Sequence, residues 1–314
     1  MISTDVDRVV NAVLYEGYVL YPYRPSVKNR HRWTFGGLYP RAFCERHRSG
    51  DAWAMQTQCL VNGGPHTRLD VKVRFLHLLM RFGGDVPWQE AVEREVVCPP
   101  FSPGSATRAD VTPARVADPG LNEFTFPASR HVDGDTVHEQ RDVVGAVALS
   151  AAPVEDGLFR VTVRVENRTD ADPSIREEAQ QYTLASTHTI LGVQDGEFVS
   201  LLDPPAHWEG AAAACENIGT WPVLIGERGE QDTMLSSPII LYDYPEVAPE
   251  SPGDLFDAGE IDEILTLRIL TLTDDEKRAM AALDPRGRAL LERTEALTPE
   301  QIRGLHGTFR GGTA

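Results

Sequence analysis

The feature that most constrains the fold of this chain is an alternation of apolar and polar residues. Between residues 69 and 79 the odd positions read Leu, Val, Val, Phe, His and Leu, while Asp70, Lys72 and Arg74 stand between them. Side chains of a β-strand point alternately to its two faces, so this pattern places the apolar set on one face. The stretch therefore predicts a strand with one buried face.

A β-hairpin is predicted further along the chain. An apolar run over residues 143–154 is followed by Asp156-Gly157 and by an alternating run over residues 158–166. The Asp-Gly pair tolerates the positive φ angles of a tight hairpin turn. The residues predicted to face inward are Phe159, Val161, Val163 and Val165.

Other segments predict further strands. Asp195-Gly196 predicts a second hairpin between residues 182–193 and 197–202. Several short strands joined by turn signals favour an antiparallel sandwich or an open barrel over a parallel sheet. The predicted fold class is α+β and mainly β, with an antiparallel β-sandwich-like core. Shorter candidate strands are 91–97, 122–126, 221–225 and 238–241.

Helical patterns are confined to the two ends of the chain. An N-terminal helix is predicted from apolar residues at helical spacing, namely Val6, Val9, Val10, Val13 and Leu14. Near the other end, Thr273 and Glu276 have the spacing of a capping box. Pro285 and Pro299 each mark the first turn of a further helix. The C-terminal region is therefore predicted to be helical.

Changes in composition divide the chain into four predicted parts. These are an N-terminal helix with a basic and aromatic segment (1–51), a β-sandwich-like core (52–241), an acidic proline-rich connector (242–259) and a helical C-terminal region (260–314).

Net charge limits the classes of partner, and cysteine usage indicates the redox compartment. The net charge of −17 argues against binding to nucleic acid and to anionic membranes, since both require a positive surface. No window approaches the roughly 20 apolar residues of a membrane span, and the N-terminus lacks the pattern of a signal peptide. The four widely spaced cysteines predict reduced thiols. A cytoplasmic protein without a membrane span is expected.

Residues 14–40 are rich in both aromatic side chains and positive charge, and Glu16 alone opposes them. Interfaces favour Tyr, Trp and Arg, because large semi-rigid groups bury area at a low entropic cost. This segment is therefore predicted to bind a partner. Its candidate residues are Tyr21, Tyr23, Arg24, Lys28, Arg30, Arg32 and Trp33.

An acidic stretch over residues 243–263 provides the opposite charge. It holds eight carboxylates and no basic residue, and Asp254 and Asp257 are its candidate binding residues. Two interpretations remain open. The basic and acidic stretches dock on one another within the molecule, or one or both contact a partner.

Residues suited to catalysis or metal binding are sparse. Cys44 and His47 form a single Cys-x-x-His, which Cys59, His66 and His77 would have to join in space to make a zinc site. There is no Gly-x-Ser-x-Gly motif. No metal and no cofactor is predicted. The alternative function is a metal-binding or hydrolytic enzyme that uses the Cys44/His47 region.

Several motifs together resemble a known family. They are Tyr15-Glu-Gly-Tyr18, Tyr21-Pro-Tyr-Arg-Pro25, Arg32-Trp-Thr-Phe-Gly36, Glu197-Phe-Val-Ser-Leu-Leu-Asp-Pro-Pro205 and Ser236-Ser-Pro-Ile-Ile-Leu-Tyr-Asp-Tyr-Pro245. The chain resembles uncharacterised proteins encoded beside high-affinity nickel–iron hydrogenases of aerobic bacteria. The resemblance implies an accessory role in assembling, maturing or stabilising the hydrogenase, with hydrogenase subunits or maturation factors as partners. It implies no catalytic residue.

Overall fold

The computed structural model describes residues 4–15, 36–48, 50–83, 87–103, 120–245, 269–283 and 285–298. These residues fall into two compact units. The first unit comprises the described residues between 36 and 245, and the second comprises residues 4–15 with those from 269 onward. The predicted boundaries at residues 51, 241 and 259 stay predictions.

The first unit is built on one antiparallel β-sheet, which confirms the prediction of a mainly β protein with antiparallel strands. Its described strands run in the order β3-β6-β7-β1-β8-β10-β9; β2 and β5 also pair with β1, and β4 pairs with β5. The strands are β1 Ala54–Phe82, β2 Trp88–Val97, β3 Gly120–Phe126, β4 Ser129–Asp133, β5 Thr136–Gln140, β6 Val143–Glu155, β7 Leu158–Asn167, β8 Leu184–Val199, β9 Trp221–Leu224 and β10 Thr233–Ser237. Three short helices accompany them: α2 Arg41–His47, α3 Arg176–Gln180 and α4 Glu209–Ala213.

Strand β1 is the central element, with 29 residues. The first half of β1 pairs with β7, and its second half pairs with β2. Strand β8 pairs with β1 before and after a shift in register between Gly63 and Arg68. The predicted alternation holds along it, since Leu69, Val71, Val73 and Phe75 are all buried. One long strand therefore connects most of the sheet.

The β6–β7 hairpin confirms the prediction drawn from Asp156-Gly157. Gly157 has a φ of 78°, and Glu155 pairs with Leu158 across the turn. Alternate residues of β7 are buried as expected, namely Phe159, Val161, Val163 and Val165.

The second predicted hairpin is wrong, because β8 continues through Asp195-Gly196 without reversing. Asp195 has a φ of 53°, but Gln194 and Gly196 both pair with β1, opposite Arg68 and Gly63. The extra residues 64–67 of β1 form a bulge here. The Thr67 hydroxyl donates to the Asp195 carbonyl at 2.6 Å. The positive φ thus fits a bulge in a continuous strand, a use that the dipeptide alone does not reveal.

The predicted strand over residues 238–241 is also wrong. The strand that pairs with β9 is β10, which ends at Ser237. Pro238 follows it and has no N–H to continue the pairing. Strands β4 and β5 and the three short helices were not predicted, because their residues show little periodicity.

The sheet curls so that β3 packs against β1. Strand β3 lies three places from β1 in the sheet, yet the ring of Phe75 on β1 lies 5.8 Å from that of Phe124 and 5.7 Å from that of Phe126. The backbone of Gln56 also exchanges two hydrogen bonds with Ile218, just before β9. Because β1, β8, β10 and β9 are already neighbours, this bridge closes them into a ring. A sandwich-like arrangement of two layers stays a prediction.

The second unit contains helices α1 Thr4–Leu14, α5 Asp274–Leu283 and α6 Pro285–Glu295. Helix α1 buries Val6, Val10, Val13 and Leu14, the face that the spacing predicted. The predicted capping box is confirmed, since the Thr273 N–H donates to Glu276 at 2.9 Å and the Glu276 N–H donates back to the Thr273 hydroxyl. That the whole C-terminal region is helical stays a prediction, because residues 246–268 and 299–314 lie outside the described residues.

None of the helices in the described part of the chain combines the length and the apolar run that crossing a bilayer requires.

Candidate functional site

The residues predicted to bind a partner lie outside the described residues. They are Tyr21, Tyr23, Arg24, Lys28, Arg30, Arg32, Trp33, Asp254 and Asp257. Their role in recognition stays a prediction.

Gly36, at the end of the basic and aromatic segment, is fixed to the sheet. Its carbonyl accepts a hydrogen bond from the Thr187 N–H at 3.0 Å, and Leu38 bridges to Leu184 on β8. Gly36 has a φ of 54°, and a Cβ at this position would lie 2.4 Å from Pro238 Cγ. Only glycine fits this close approach without strain. Gly36 and Leu38 therefore lie against β8, and Gly36 lies beside Pro238, the residue after β10.

Two of the motifs that carry the family resemblance meet at one point. The Ser200 hydroxyl donates to Asp243 Oδ2 and accepts hydrogen bonds from the N–H groups of Leu202 and Asp203. Asp243 Oδ1 accepts a hydrogen bond from the Leu224 N–H at 2.8 Å. These contacts hold residues 200–203 and the chain around Asp243 against the end of β9.

Four large apolar side chains on β9 or on the chain segments held near it are exposed. Leu202 is 56% exposed, Trp221 43%, Ile240 73% and Tyr242 86%. We call these four residues the β9 edge. Trp221 pairs with Ser237 at one end of β9, and Tyr244 bonds to Leu224 at the other, so residues 237–244 run alongside this strand. Contiguous exposed apolar side chains mark protein–protein interaction sites.

The chain around the β9 edge is acidic. Residues 195–245 hold nine carboxylate residues, and their only lysine or arginine is Arg228. Such a surface attracts a positively charged partner and repels an acidic one. The β9 edge therefore combines apolar side chains with negative charge.

Several arginines of the first unit form ion pairs within it. Arg41 pairs with Glu45, Arg46 with Asp172, and Arg176 with Asp51. Arg41 and Arg164 also lie over the Trp53 ring, at 4.6 and 5.4 Å from its centre. Arg46 and Arg176 therefore help to hold α2 and α3 in place through partners that are distant in sequence, which sequence reasoning missed.

Cys44 and His47 lie on the same short helix, α2. Burial and the nearby Asp51 carboxylate raise the pKa of the Cys44 thiol to about 11, so the thiol stays protonated at neutral pH. The His47 ring lies 4.5 Å from the Phe43 ring. Cys59 is fully buried, which raises its pKa too. The described residues contain no group of three or more His, Cys, Asp and Glu side chains placed to hold a metal ion.

Two histidines are buried in the sheet and neutral. Burial lowers the pKa of both His77 and His188 to about 4. His77 donates from Nε2 to the Arg141 carbonyl at 2.8 Å, as expected of a core histidine. His188 donates from Nδ1 to the Ser186 carbonyl, not to a hydroxyl. A general base works best with a pKa near the operating pH, and a pKa of about 4 lies well below pH 7.

A scan against models of known protein families finds no match, and a search of curated proteins finds no significant relative. Fold and surface alone therefore define the class of this protein. It is a mainly β, α+β protein with an acidic and apolar edge on its antiparallel sheet.

Proposed function

We propose that this protein is a non-catalytic accessory protein that acts by protein–protein interaction. The observation that carries this proposal is the β9 edge, where four large apolar residues are exposed in an acidic surrounding. The core is proposed to be the sandwich-like fold that the sequence predicts. Contact between Phe75 and Phe124 across the folded sheet supports that arrangement.

The chemistry of the described residues also supports an interaction role. The cysteines that are buried have raised thiol pKa values, and the two core histidines are neutral and hydrogen-bonded to carbonyls. All four cysteines are free, which fits the reducing cytoplasm that we propose as the compartment.

The proposed partner is a subunit or maturation factor of a nickel–iron hydrogenase. This choice rests on the family resemblance, two of whose motifs meet at the Ser200–Asp243 hydrogen bond beside the β9 edge. We propose that the segment containing Tyr21 to Trp33 also takes part in recognition.

The test is to co-express the chain with the hydrogenase subunits and maturation factors and to measure how much of each co-purifies. The double variant Ile240→Asp with Tyr242→Asp places charges at the two most exposed positions of the β9 edge. Retention of the partner is expected to fall about tenfold or more, because central apolar contacts dominate binding energy.

The matched control is Val97→Asp, a change at another exposed apolar position, on β2. It is expected to retain the partner as well as the wild-type chain does. Both variants should keep the wild-type midpoint of urea unfolding. Equal retention by the double variant and the control, or no hydrogenase component bound by the wild-type chain, would refute the proposal.

A further inference from the structure

The β4–β5 hairpin projects a pair of histidines that no part of the proposed function uses. Its two strands join through Gly134, which has a φ of 56°, and Asp135. All five residues of β4 are exposed, and among the described strands β4 pairs with β5 alone. One face of this hairpin is therefore open to ligands.

His131 on β4 and His138 on β5 are direct partners across the hairpin. Their rings are nearly parallel, with an angle of 5° between the planes, and their centres are 6.4 Å apart. His131 is exposed and His138 half-buried, and neither ring makes a hydrogen bond to another described residue. Opposed residues on antiparallel strands have Cβ atoms about 4.5–5.5 Å apart, so small side-chain rotations bring the two rings to one ion.

The surrounding charges permit a cation at this place. Arg81 on β1 is the partner of His138 on the same face, but its guanidinium pairs with Glu90. Arg130 and Glu139 pair with each other and lie on the opposite face, because strand residues alternate.

We propose that His131 and His138 form a two-imidazole site for a borderline divalent transition metal, with Ni²⁺, Cu²⁺ and Zn²⁺ as the ions to test. Imidazole nitrogen is a preferred ligand of these ions, whereas Mg²⁺ and Ca²⁺ prefer oxygen. Two protein ligands leave the other coordination positions to water. The site is independent of the proposed protein interaction, since it uses a different part of the sheet.

The test is calorimetric titration of the full chain, purified without an affinity tag, with each of the three metal ions separately and with Mg²⁺. The wild-type chain is expected to bind one equivalent of at least one transition metal at this site and no Mg²⁺. His131→Ala and His138→Ala are each expected to weaken that binding by about tenfold or more, since even the loss of a residue that only supports a metal ligand costs 10–100-fold.

His207→Ala is the matched control, because His207 is also exposed but lies outside the hairpin. This variant is expected to bind the one equivalent of transition metal with the same affinity as the wild-type chain. A second readout is the midpoint temperature of thermal unfolding. Saturating metal should raise this temperature in the wild-type chain but not in His131→Ala, a variant changed only at an exposed residue. Transition-metal binding that is the same in the wild-type chain and both hairpin variants, or no binding at all, would overturn the proposal.

Discussion

Ser200 donates a hydrogen bond to Asp243, a residue 43 positions away in the sequence. The same hydroxyl accepts from the Leu202 N–H, and the same carboxylate accepts from the Leu224 N–H. One side-chain pair therefore satisfies backbone groups from two segments and fixes both beside β9. The exposed Leu202 and Tyr242 owe their positions to this pair.

Replacing Ser200 by alanine is expected to destabilise the fold by about 1–3 kcal/mol, because buried groups lose their hydrogen-bond partner. The free energy of urea unfolding measures this effect. Ser129→Ala, at an exposed position of β4, is the control and should change stability by less than about 0.5 kcal/mol. Equal stability of the two variants would show that the Ser200–Asp243 bond does not hold these segments.

The aromatic cluster of the folded sheet can be tested at Phe75, which is fully buried. Phe75→Ala is expected to cost about 3–5 kcal/mol of unfolding free energy, because it removes a large side chain and leaves a cavity. Val97→Ala changes a side chain that is 66% exposed and should have an effect near zero. A cost near zero at Phe75 as well would contradict the packing of β3 over β1.

Stability is expected to fall as the pH falls from about 6.5 to 4. The pKa of His188 is about 4 in the fold and about 6.5 in an unfolded chain, so within this range the unfolded chain binds a proton that the folded chain does not. Each such histidine adds a slope of up to about 1.4 kcal/mol per pH unit. His77 contributes in the same direction, because burial lowers its pKa in the same way.

The measurement is the free energy of unfolding at several pH values. His188→Gln should have a shallower slope between pH 6.5 and 4 than the wild-type chain, whatever its stability at pH 7. The exposed His66→Gln is the control. If the slopes of wild type and His188→Gln coincide, His188 is not buried and neutral in solution.

The basic segment can be tested with Arg24→Ala and Arg32→Ala together. Aromatic side chains are costly to leave in water, and basic groups are costly to bury unpaired, so the segment is expected to meet an apolar surface that carries carboxylates. Loss of stability alone would favour docking within the molecule. Loss of a co-purifying hydrogenase subunit with stability intact would favour a partner site. If neither changes, the prediction about this segment is wrong.

Local patterns in the sequence were sufficient to predict much of the sheet. The alternation around Val71 and that around Val163 correspond to buried strand faces, because face selection depends only on a period of two. Asp156-Gly157 predicted its hairpin, since a tight turn is a property of adjacent residues. The capping box of Thr273 and Glu276 was predictable for the same reason.

Tertiary structure decided the role of the second Asp-Gly pair and the contacts between residues distant in sequence. Asp195 has the positive φ that Asp-Gly allows, but pairing of β8 with β1 on both sides turns the site into a bulge. Ser200 and Asp243 have no sequence pattern that connects them, and Arg46 finds Asp172 only once α2 lies on the sheet. Strand faces and turns depend on neighbouring residues, so the sequence by itself determined them. The bulge, the Ser200–Asp243 pair and the β9 edge depend on distant segments meeting, which only the folded sheet brings about.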